Sequence, residues 1–399
     1  LFPLWPVLWL FWRWSSRGDA DRPSWLREAA HLAILLLVSL YVINLGYGFE
    51  RPFQPVERFE VGRRMLGHVE ALLPDREPSD PSGVATSIAR LPVPLPENYV
   101  VGVDEILAHR DSKPTAYLRR QRREGGFWYY YPYALLVKLP LGTLMLLAGA
   151  CAASFVPSFR PSGKTEAFLL ISMVAVLGFV TSAGTLQALR YALPVLPLLF
   201  VWISKTGRLF AGKRRLPMLF VAGCAGWAIL SSLWVYPHSL AYFNELAGGP
   251  NGGHAHLVGA NIDWGQDFLY LKRRLAEHPQ TSPLGLSWRH PLLDPRVLGL
   301  EYVDVPPGPV PGRRYTLAQL MMEVGPQPGW YAVNVSRLHE PSRAFAYFFR
   351  FRPVAKAGYS IYLYHVTPEE ANRVRRELRL PEWNHEKVED VSRPGGRKR

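Results

Sequence analysis

The chain has 399 residues, with 46 Lys and Arg against 32 Asp and Glu. A net charge of +14 indicates an anionic partner, either nucleic acid, an anionic membrane surface or a phosphorylated substrate. Hydrophobic residues are concentrated before residue 236, which favours a membrane protein over a nucleic-acid-binding protein. Cys151 and Cys224 both lie in apolar runs, where free cysteines are ordinary core residues, so they do not indicate a disulfide.

Five apolar stretches are predicted to cross a membrane, since a spanning helix needs about 20 apolar residues. The chain opens on a shorter apolar run without a signal-peptide pattern, so residues 1–30 are interpreted as a truncated transmembrane segment followed by a cytoplasmic loop. The fourth stretch holds Pro194 and Pro197 and is predicted to be a kinked or thin span. The five stretches are 31–49, 132–156, 167–186, 190–204 and 216–236.

Clusters of Lys and Arg in alternate short loops predict the orientation of these spans. The clusters precede the first span, separate the second from the third, and separate the fourth from the fifth, while the loop near 186–190 holds Arg190 alone. Basic loops remain in the cytoplasm, so residues 50–131 and everything after residue 237 are predicted to lie outside it.

The large outer loop, residues 50–131, contains Pro-rich connections and ends in the aromatic cluster "GGFWYYYPYALL". Such rings are typical of a membrane interface. The alternative interpretation is that these aromatic residues line a carbohydrate or lipid site.

Residues 237–380 have the pattern of an α/β domain. A helix is predicted in "GQDFLYLKRRLAEH", strands in "PLGLSW", "GWYAVNVS" and "GYSIYLYHV", and a terminal helix in "EEANRVRREL". Residues 381–399 form a basic tail that is predicted to be disordered. The predicted fold is therefore mostly α, a multi-pass helical membrane domain with a C-terminal extracytoplasmic α/β domain.

Four motifs in this order resemble the bacterial polyprenyl-phosphate-dependent glycosyltransferases of the GT-C superfamily, which are related to protein mannosyltransferases and aminoarabinose transferases. The motifs are "GGFWYYYPYALLVKLPLG", "LRYALPVLPLLF", "YPHSLAYFNELAGGPNGG" and "NIDWGQDFLYLK". The resemblance covers residues 31–366 and is most specific over 236–272. It implies an enzyme of the bacterial inner membrane that moves a sugar from a polyprenyl phosphate to an acceptor outside the cytoplasm, without a nucleotide.

The chain departs from this family at the catalytic carboxylate. Members of the superfamily carry a catalytic Asp or Glu in the first extracytoplasmic loop, a region that is missing here. The pair Asp104 and Glu105 lies in a later loop, so the catalytic role is not transferred to it and the catalytic residues stay unassigned.

Lys138 and Arg190 are candidate ligands of the lipid phosphate, an anionic leaving group that needs cations at the outer face of the membrane. Lys138 follows Pro132, taken as the first helical residue, by six positions, or roughly 9 Å into the second span. Arg190 opens the fourth span on the same face. The alternatives are a snorkelling Lys and an interfacial Arg anchor.

The residues after the last span supply the remaining candidates. His238, Asn244 and Glu245 are expected at the outer interface, where Glu245 is a candidate sugar ligand and capping is the alternative. In "NIDWGQD" (261–267), Asp263 is predicted to cap the following helix and form a structural neck.

The same stretch also allows a binding site. Asp263 and Asp267 are candidates to bind acceptor hydroxyls or a divalent cation, although a metal normally has more ligands than these two. No metal ligands are assigned for this reason. Asn334 begins a glycosylation sequon but is expected to be a plain strand position.

Together these features predict a membrane glycosyltransferase of the cell envelope that uses a polyprenyl-phosphate sugar, contacts membrane lipid and does not bind nucleic acid. The acceptor is not specified. The alternative is a non-catalytic membrane binding or scaffold protein whose outer domain recognises glycan or protein. A transporter would have inverted repeats, and the sequence shows none.

Overall fold

The computed structural model describes residues 4–15, 24–71, 84–111, 115–157, 163–182, 188–211, 215–288 and 294–384. The chain is mostly helical, with candidate membrane spans followed by a C-terminal domain built on a mixed five-stranded sheet. The predicted fold class is therefore confirmed. Most of the predicted disordered tail, 385–399, lies outside the described residues, whereas Trp383 is hydrogen-bonded through its amide to Asn372.

The helices before the sheet domain are mostly apolar. They are α1 (Leu4–Ser15), α2 (Trp25–Gly46), α3 (Glu60–Ala71), α4 (Val84–Ala89), α5 (Glu97–Asp111), α6 (Tyr130–Lys138), α7 (Leu141–Ala153), α8 (Gly163–Ser182), α9 (Val195–Ile203) and α10 (Arg215–Val235). Of these, α3, α4 and α5 belong to the loop of residues 50–131. The same loop holds an antiparallel strand pair, β1 (Gln54–Pro55) with β2 (Pro92–Val93), and a hairpin, β3 (Thr115–Leu118) with β4 (Gln121–Glu124).

Among the described residues, α2, α8 and α10 are long and apolar enough to cross a membrane. Large apolar side chains on these helices are exposed, as on α2, where Leu37 is 65% exposed. A lipid-facing surface accounts for such exposure, since lipid rather than protein would cover it.

The second predicted span, residues 132–156, is not one straight helix. Helices α6 and α7 meet at a bend of 117°. Neither is long enough to cross a membrane alone, and only the two together form a candidate span, which is then a broken one. Pro140 explains the break because a proline disfavours helical geometry in the preceding residue, and Leu139 is extended at φ −79° and ψ 140°. Lys138 is therefore the last residue of a short helix, not a residue inside a continuous span.

The fourth predicted span, residues 190–204, also differs. Its α-helical part, α9, has nine residues and continues into a 3-10 helix, Ser204–Ala211. Nine residues rise only about 14 Å, less than half of a bilayer core of about 30 Å. The helix is instead packed in a core with α7 and α8, where Val195, Leu199 and Trp202 are buried.

The C-terminal domain has the strand order β6-β5-β7-β9-β8. Its elements are α11 (Gly249–Gly252), α12 (Asp267–Glu277), β5 (Leu284–Ser287), β6 (Val303–Asp304), α13 (Leu317–Met322), β7 (Gly329–Asn334), α14 (Val335–Leu338), β8 (Ala355–Ala357), β9 (Ile361–Val366) and α15 (Pro368–Glu377). Strand β5 is parallel to β6 and β7, whereas β9 is antiparallel to β7 and β8. The three predicted strands are the three central ones.

Side chains alternate across this sheet, as strand geometry requires, and both faces are covered. On one face, Ala332 and Leu363 pack with Phe268 of α12. On the other face, Tyr331 and Val333 belong to a core that includes α15 and the aromatic cluster at the start of α6.

The aromatic cluster is therefore mainly part of a core. Phe127, Tyr130 and Tyr131 are buried, and only Trp128 of this group, at 76% exposed, has the solvent- or lipid-facing position expected of an interfacial belt. The α6 region and the sheet domain share this core, which fixes the place where the candidate site residues meet.

Candidate functional site

The segment 238–267 wraps around the end of α6, and we call this contact region the joint. Because α6 breaks at Pro140, its last carbonyl groups have no helical partner. Asn244 donates hydrogen bonds to three of them. Its backbone N–H donates to Val137 O at 2.9 Å, and its side-chain Nδ2 donates to Leu136 O at 2.6 Å and to Leu139 O at 2.9 Å. Asn244 is fully buried, so its capping role is structural.

Lys138 is bound within the joint. Its ammonium group donates to Leu240 O at 2.7 Å and to Asn261 O, and it lies 4.0 Å from the ring centroid of Phe243. Two of the three N–H donors of the ammonium thus have backbone partners. Lys138 holds the chain against the end of α6 and has one donor left for a further acceptor.

Asn261, the first residue of "NIDWGQD", connects three parts of the chain. Its Oδ1 accepts from Leu189 N at 2.9 Å, and its Nδ2 donates to Tyr130 OH at 2.9 Å and to Val258 O at 3.1 Å. The backbone carbonyl of Asn261 also accepts from Lys138. Through these contacts the buried Asn261 links α6 to the residues that precede α9.

Arg190 lies next to this link and is exposed. Its guanidinium carbon is 4.9 Å from the ring centroids of both Tyr191 and Trp264, and Nη2 donates to Tyr191 OH at 3.0 Å. Stacking on two rings orients the planar guanidinium while leaving most of its N–H groups for a ligand. The structure thus brings Arg190 to the "NIDWGQD" stretch.

Asp263 does not cap the following helix, so that prediction is wrong. The N-cap position of α12 is Gln266, without a side-chain cap. Asp263 instead accepts from Gly265 N at 2.8 Å and from Asn334 Nδ2 at 2.8 Å, and burial raises its pKa. Gly265 at φ +98° permits the turn that directs the carboxylate away from the helix.

Asn334 is a strand residue, as predicted, and its side chain also binds groups outside the strand. It ends β7, is 6% exposed, and its Oδ1 accepts from Ser336 N at 2.8 Å. A buried amide with both ends hydrogen-bonded offers no accessible nitrogen for glycosylation in the folded chain.

Asp267 is fully buried at the start of α12. Its Oδ2 accepts from Tyr359 N at 2.9 Å and Ser360 N at 2.8 Å, and its Oδ1 lies 3.6 Å from His238 Nδ1. A Cβ on Gly358 would lie 2.1 Å from Oδ1, so the carboxylate needs glycine at that turn. Asp263 and Asp267 therefore tie the "NIDWGQD" stretch to the sheet, as a structural neck would.

Glu245 lies apart from these residues, at the end of α10 that joins the sheet domain. Its Oε1 accepts from Trp227 Nε1 at 3.2 Å. Glu245 lines an apolar cavity of about 440 Å³ whose other walls include Trp227, Leu230, Trp234 and Phe243. Phe243 is also the ring on which Lys138 rests, so the cavity borders the joint.

The described residues contain no group of three His, Cys, Asp or Glu side chains that could hold a metal ion. Asp263 and Asp267 have the chemistry of cation ligands, but three of their four carboxylate oxygens accept from N–H donors, and the fourth, Asp267 Oδ1, lies 3.6 Å from His238 Nδ1.

Lys138 and Arg190 both contact the stretch 261–267 that holds Asp263 and Asp267, whereas Glu245 lies in the wall of the neighbouring cavity. Sequence reasoning missed Asn261, the residue that joins the parts. Its partners lie 72 and 131 positions away, so no local pattern could have identified them.

Comparison with protein-family models, with curated proteins and with solved structures finds no match to this chain.

Proposed function

We propose that this chain belongs to a membrane glycosyltransferase that moves a sugar from a polyprenyl phosphate to an acceptor outside the cytoplasm. The observation that carries the proposal is the apolar cavity at the end of α10, with a carboxylate in its wall and the Lys138 ammonium group against one of its lining rings. A lipid-linked sugar needs this combination, because its chain is apolar and its phosphate anionic.

The cavity suits an isoprenoid chain. Trp227, Leu230 and Trp234 lie on one candidate span and are 50%, 65% and 88% exposed. Exposed apolar side chains on a span face lipid, so an isoprenoid chain can reach this wall from the membrane without leaving the apolar phase. We therefore assign this wall to the lipid part of the donor.

The phosphate is assigned first to Arg190. Its guanidinium is exposed, stacked on two rings and able to fork two hydrogen bonds onto a phosphate. Lys138 supports the same phosphate with its remaining N–H, and mainly positions the chain through its two bonds to backbone carbonyls. Glu245 is the carboxylate available to a sugar hydroxyl.

Turnover of a radiolabelled polyprenyl-phosphate sugar tests the proposal, with protein expressed from the complete reading frame and placed in lipid nanodiscs. Arg190→Gln removes hydrogen bonds to a charged group, each typically worth about 1.5–3 kcal/mol, so turnover should fall roughly ten- to a hundredfold. Arg352→Gln, at an exposed Arg of the sheet domain, is the charge-matched control and should retain the rate.

Binding of the donor is measured in parallel. Wild-type protein that neither binds nor consumes the donor would contradict the proposal. Binding of the donor with no turnover under any condition would support the rival function, a membrane module that recognises a glycan or lipid without catalysis.

A further inference from the structure

A second cavity, of about 900 Å³, lies where the β3–β4 hairpin meets α14 and the 3-10 helix Ala346–Arg350. We call it the basic pocket, because its lining includes Arg120, Arg122 and Arg343. None of the described residues that line it belongs to a candidate membrane span. Its size is within the roughly 300–1,000 Å³ of typical small-molecule sites.

Two of the three arginines have unusual backbone geometry. Arg120, with its neighbour Arg119, forms the two-residue turn of the hairpin at φ +62° and +52°, and Arg343 has φ +54°. Such turns normally contain Asn or Gly, since a side chain with a Cβ is strained at positive φ. Strain of this kind persists where the surroundings enforce it and is concentrated at binding sites.

The positive charge of the pocket is not balanced by the protein. None of the three arginines forms an ion pair within the described residues. Glu340, the carboxylate in the described lining, is already bound by Arg337 and by the Ser342 hydroxyl. Three guanidinium groups thus face one carboxylate that already has partners.

A pair of neutral histidines forms another wall. His254 Nδ1 and His339 Nε2 are 2.9 Å apart, and Tyr117 OH donates to His254 O at 2.8 Å. Burial, reinforced by nearby cations, lowers the pKa of His254 to about 4 and that of His339 to about 3. Both imidazoles are therefore neutral at pH 7, and the charge of the pocket comes from its arginines.

We propose that the basic pocket binds the phosphoryl group of a water-soluble ligand, such as a sugar phosphate. A phosphate monoester carries about −1.5 to −2 charges at pH 7, close to the excess of positive charge in the pocket. Guanidinium groups bind phosphate oxygens in pairs. The rings of Tyr117 and Phe349 also line the cavity and can pack against a sugar.

This inference does not depend on the proposed glycosyltransferase activity. The candidate donor site is built from α10, the joint and Arg190, whereas the basic pocket is built from the β3–β4 hairpin and residues 338–349. If the donor is not turned over, the proposed phosphate binding in the basic pocket still stands. If soluble phosphates do not bind, the proposed donor site still stands.

Isothermal titration of the complete chain in detergent with glucose 6-phosphate, and separately with inorganic phosphate, tests the inference. Arg120→Gln and Arg343→Gln should each weaken binding roughly ten- to a hundredfold, the effect of losing a hydrogen bond to a charged group. Arg352→Gln, exposed and outside the pocket, is the charge-matched control and should bind as wild type does. Unfolding temperatures establish that each variant is folded.

Three outcomes would overturn the inference. Wild-type protein that binds neither ligand would do so, as would equal weakening by all three substitutions, which would indicate a general charge effect. Binding only to vesicles that contain phosphatidic acid, with no binding of the soluble phosphates, would assign the arginines to a lipid surface instead. If one of the two pocket variants fails to fold, the binding measured with the other variant tests the inference.

Discussion

Replacing Asp267 tests whether the "NIDWGQD" stretch is a neck or a binding site. Its carboxylate is fully buried and accepts from the amides of Tyr359 and Ser360 at 2.9 and 2.8 Å. It also lies in the first turn of α12, where a negative charge is favourable to the helix dipole. Asp267→Ala removes the acceptor for both amides, and Asp267→Asn keeps an oxygen that can accept from both.

The structure gives the expected magnitudes. Each buried N–H without a partner costs about 1–3 kcal/mol, so Asp267→Ala should lower the free energy of unfolding by at least about 2 kcal/mol. Asp267→Asn should lower it by about 1–2 kcal/mol, because its neutral oxygen forms weaker hydrogen bonds than a carboxylate. Glu277→Ala, an exposed change at the other end of α12, should alter it by no more than about 0.5 kcal/mol.

Urea unfolding in detergent, followed by tryptophan fluorescence, measures these differences, and donor turnover is measured on the same preparations. The neck interpretation expects the loss of turnover to follow the loss of folded protein. Wild-type stability in Asp267→Asn, combined with a complete loss of turnover, would refute it and would make Asp267 a substrate ligand.

Three further predictions concern the packing, a buried charge and the orientation. A Cβ on Gly142 would lie 1.9 Å from a carbonyl oxygen of α10, so Gly142→Ala should destabilise the chain by about 1–3 kcal/mol in thermal unfolding. Gly149→Ala, also in α7 but with its nearest neighbour 3.7 Å away, should be neutral or stabilising, and equal losses in both would contradict this account. Arg375 is fully buried and donates to four backbone carbonyls. Arg375→Lys should lower the free energy of unfolding by about 1–3 kcal/mol, because a single ammonium group cannot reach all four. An unchanged urea unfolding curve would disprove this stabilising role of Arg375. In a cysteine-free background, an impermeant maleimide should label Ser282→Cys but not Ser204→Cys in intact cells, and the reverse pattern would invert the predicted orientation.

The C-terminal domain was the part most readily predicted, because its central elements have strong local signals. Strands β7 and β9 lie in runs rich in aromatic and β-branched residues, and β5 lies in a short apolar run that follows Pro283. Helix α15 begins at a capping box formed by Thr367 and Glu370. Strands β6 and β8 were not predicted, since two or three residues at a sheet edge carry too little pattern.

The membrane helices were predicted less completely. Apolar composition identifies α2, α8 and α10, because the length and hydropathy of a span can be read from its own residues. Pro140 is a local signal for a break in the second span, but composition gives neither its angle of 117° nor the binding of the freed carbonyl groups by Asn244, which lies 105 residues after Leu139.

In the candidate site, the sequence prediction assigned one contact of the "NIDWGQD" stretch wrongly. Asp263 has the residue type and position of a helix cap, but its partner, Asn334, is 71 residues away on β7. Residue type gives the hydrogen-bonding capacity of a side chain, whereas the choice among partners depends on which one the fold brings within about 3 Å.

By itself, the sequence determined which segments are apolar, where the chain changes from candidate spans to an α/β domain, and which short stretch joins the two. These properties follow from composition and from periodicities of 2 and 3.6 residues, which are local. Only the tertiary structure decided that Lys138 binds backbone carbonyls, that Arg190 stacks on Trp264, and that Arg120 and Arg343 share a pocket. The physical reason is that hydrogen bonds, stacking and unbalanced charge act over a few ångströms in space, between residues that are far apart in the chain.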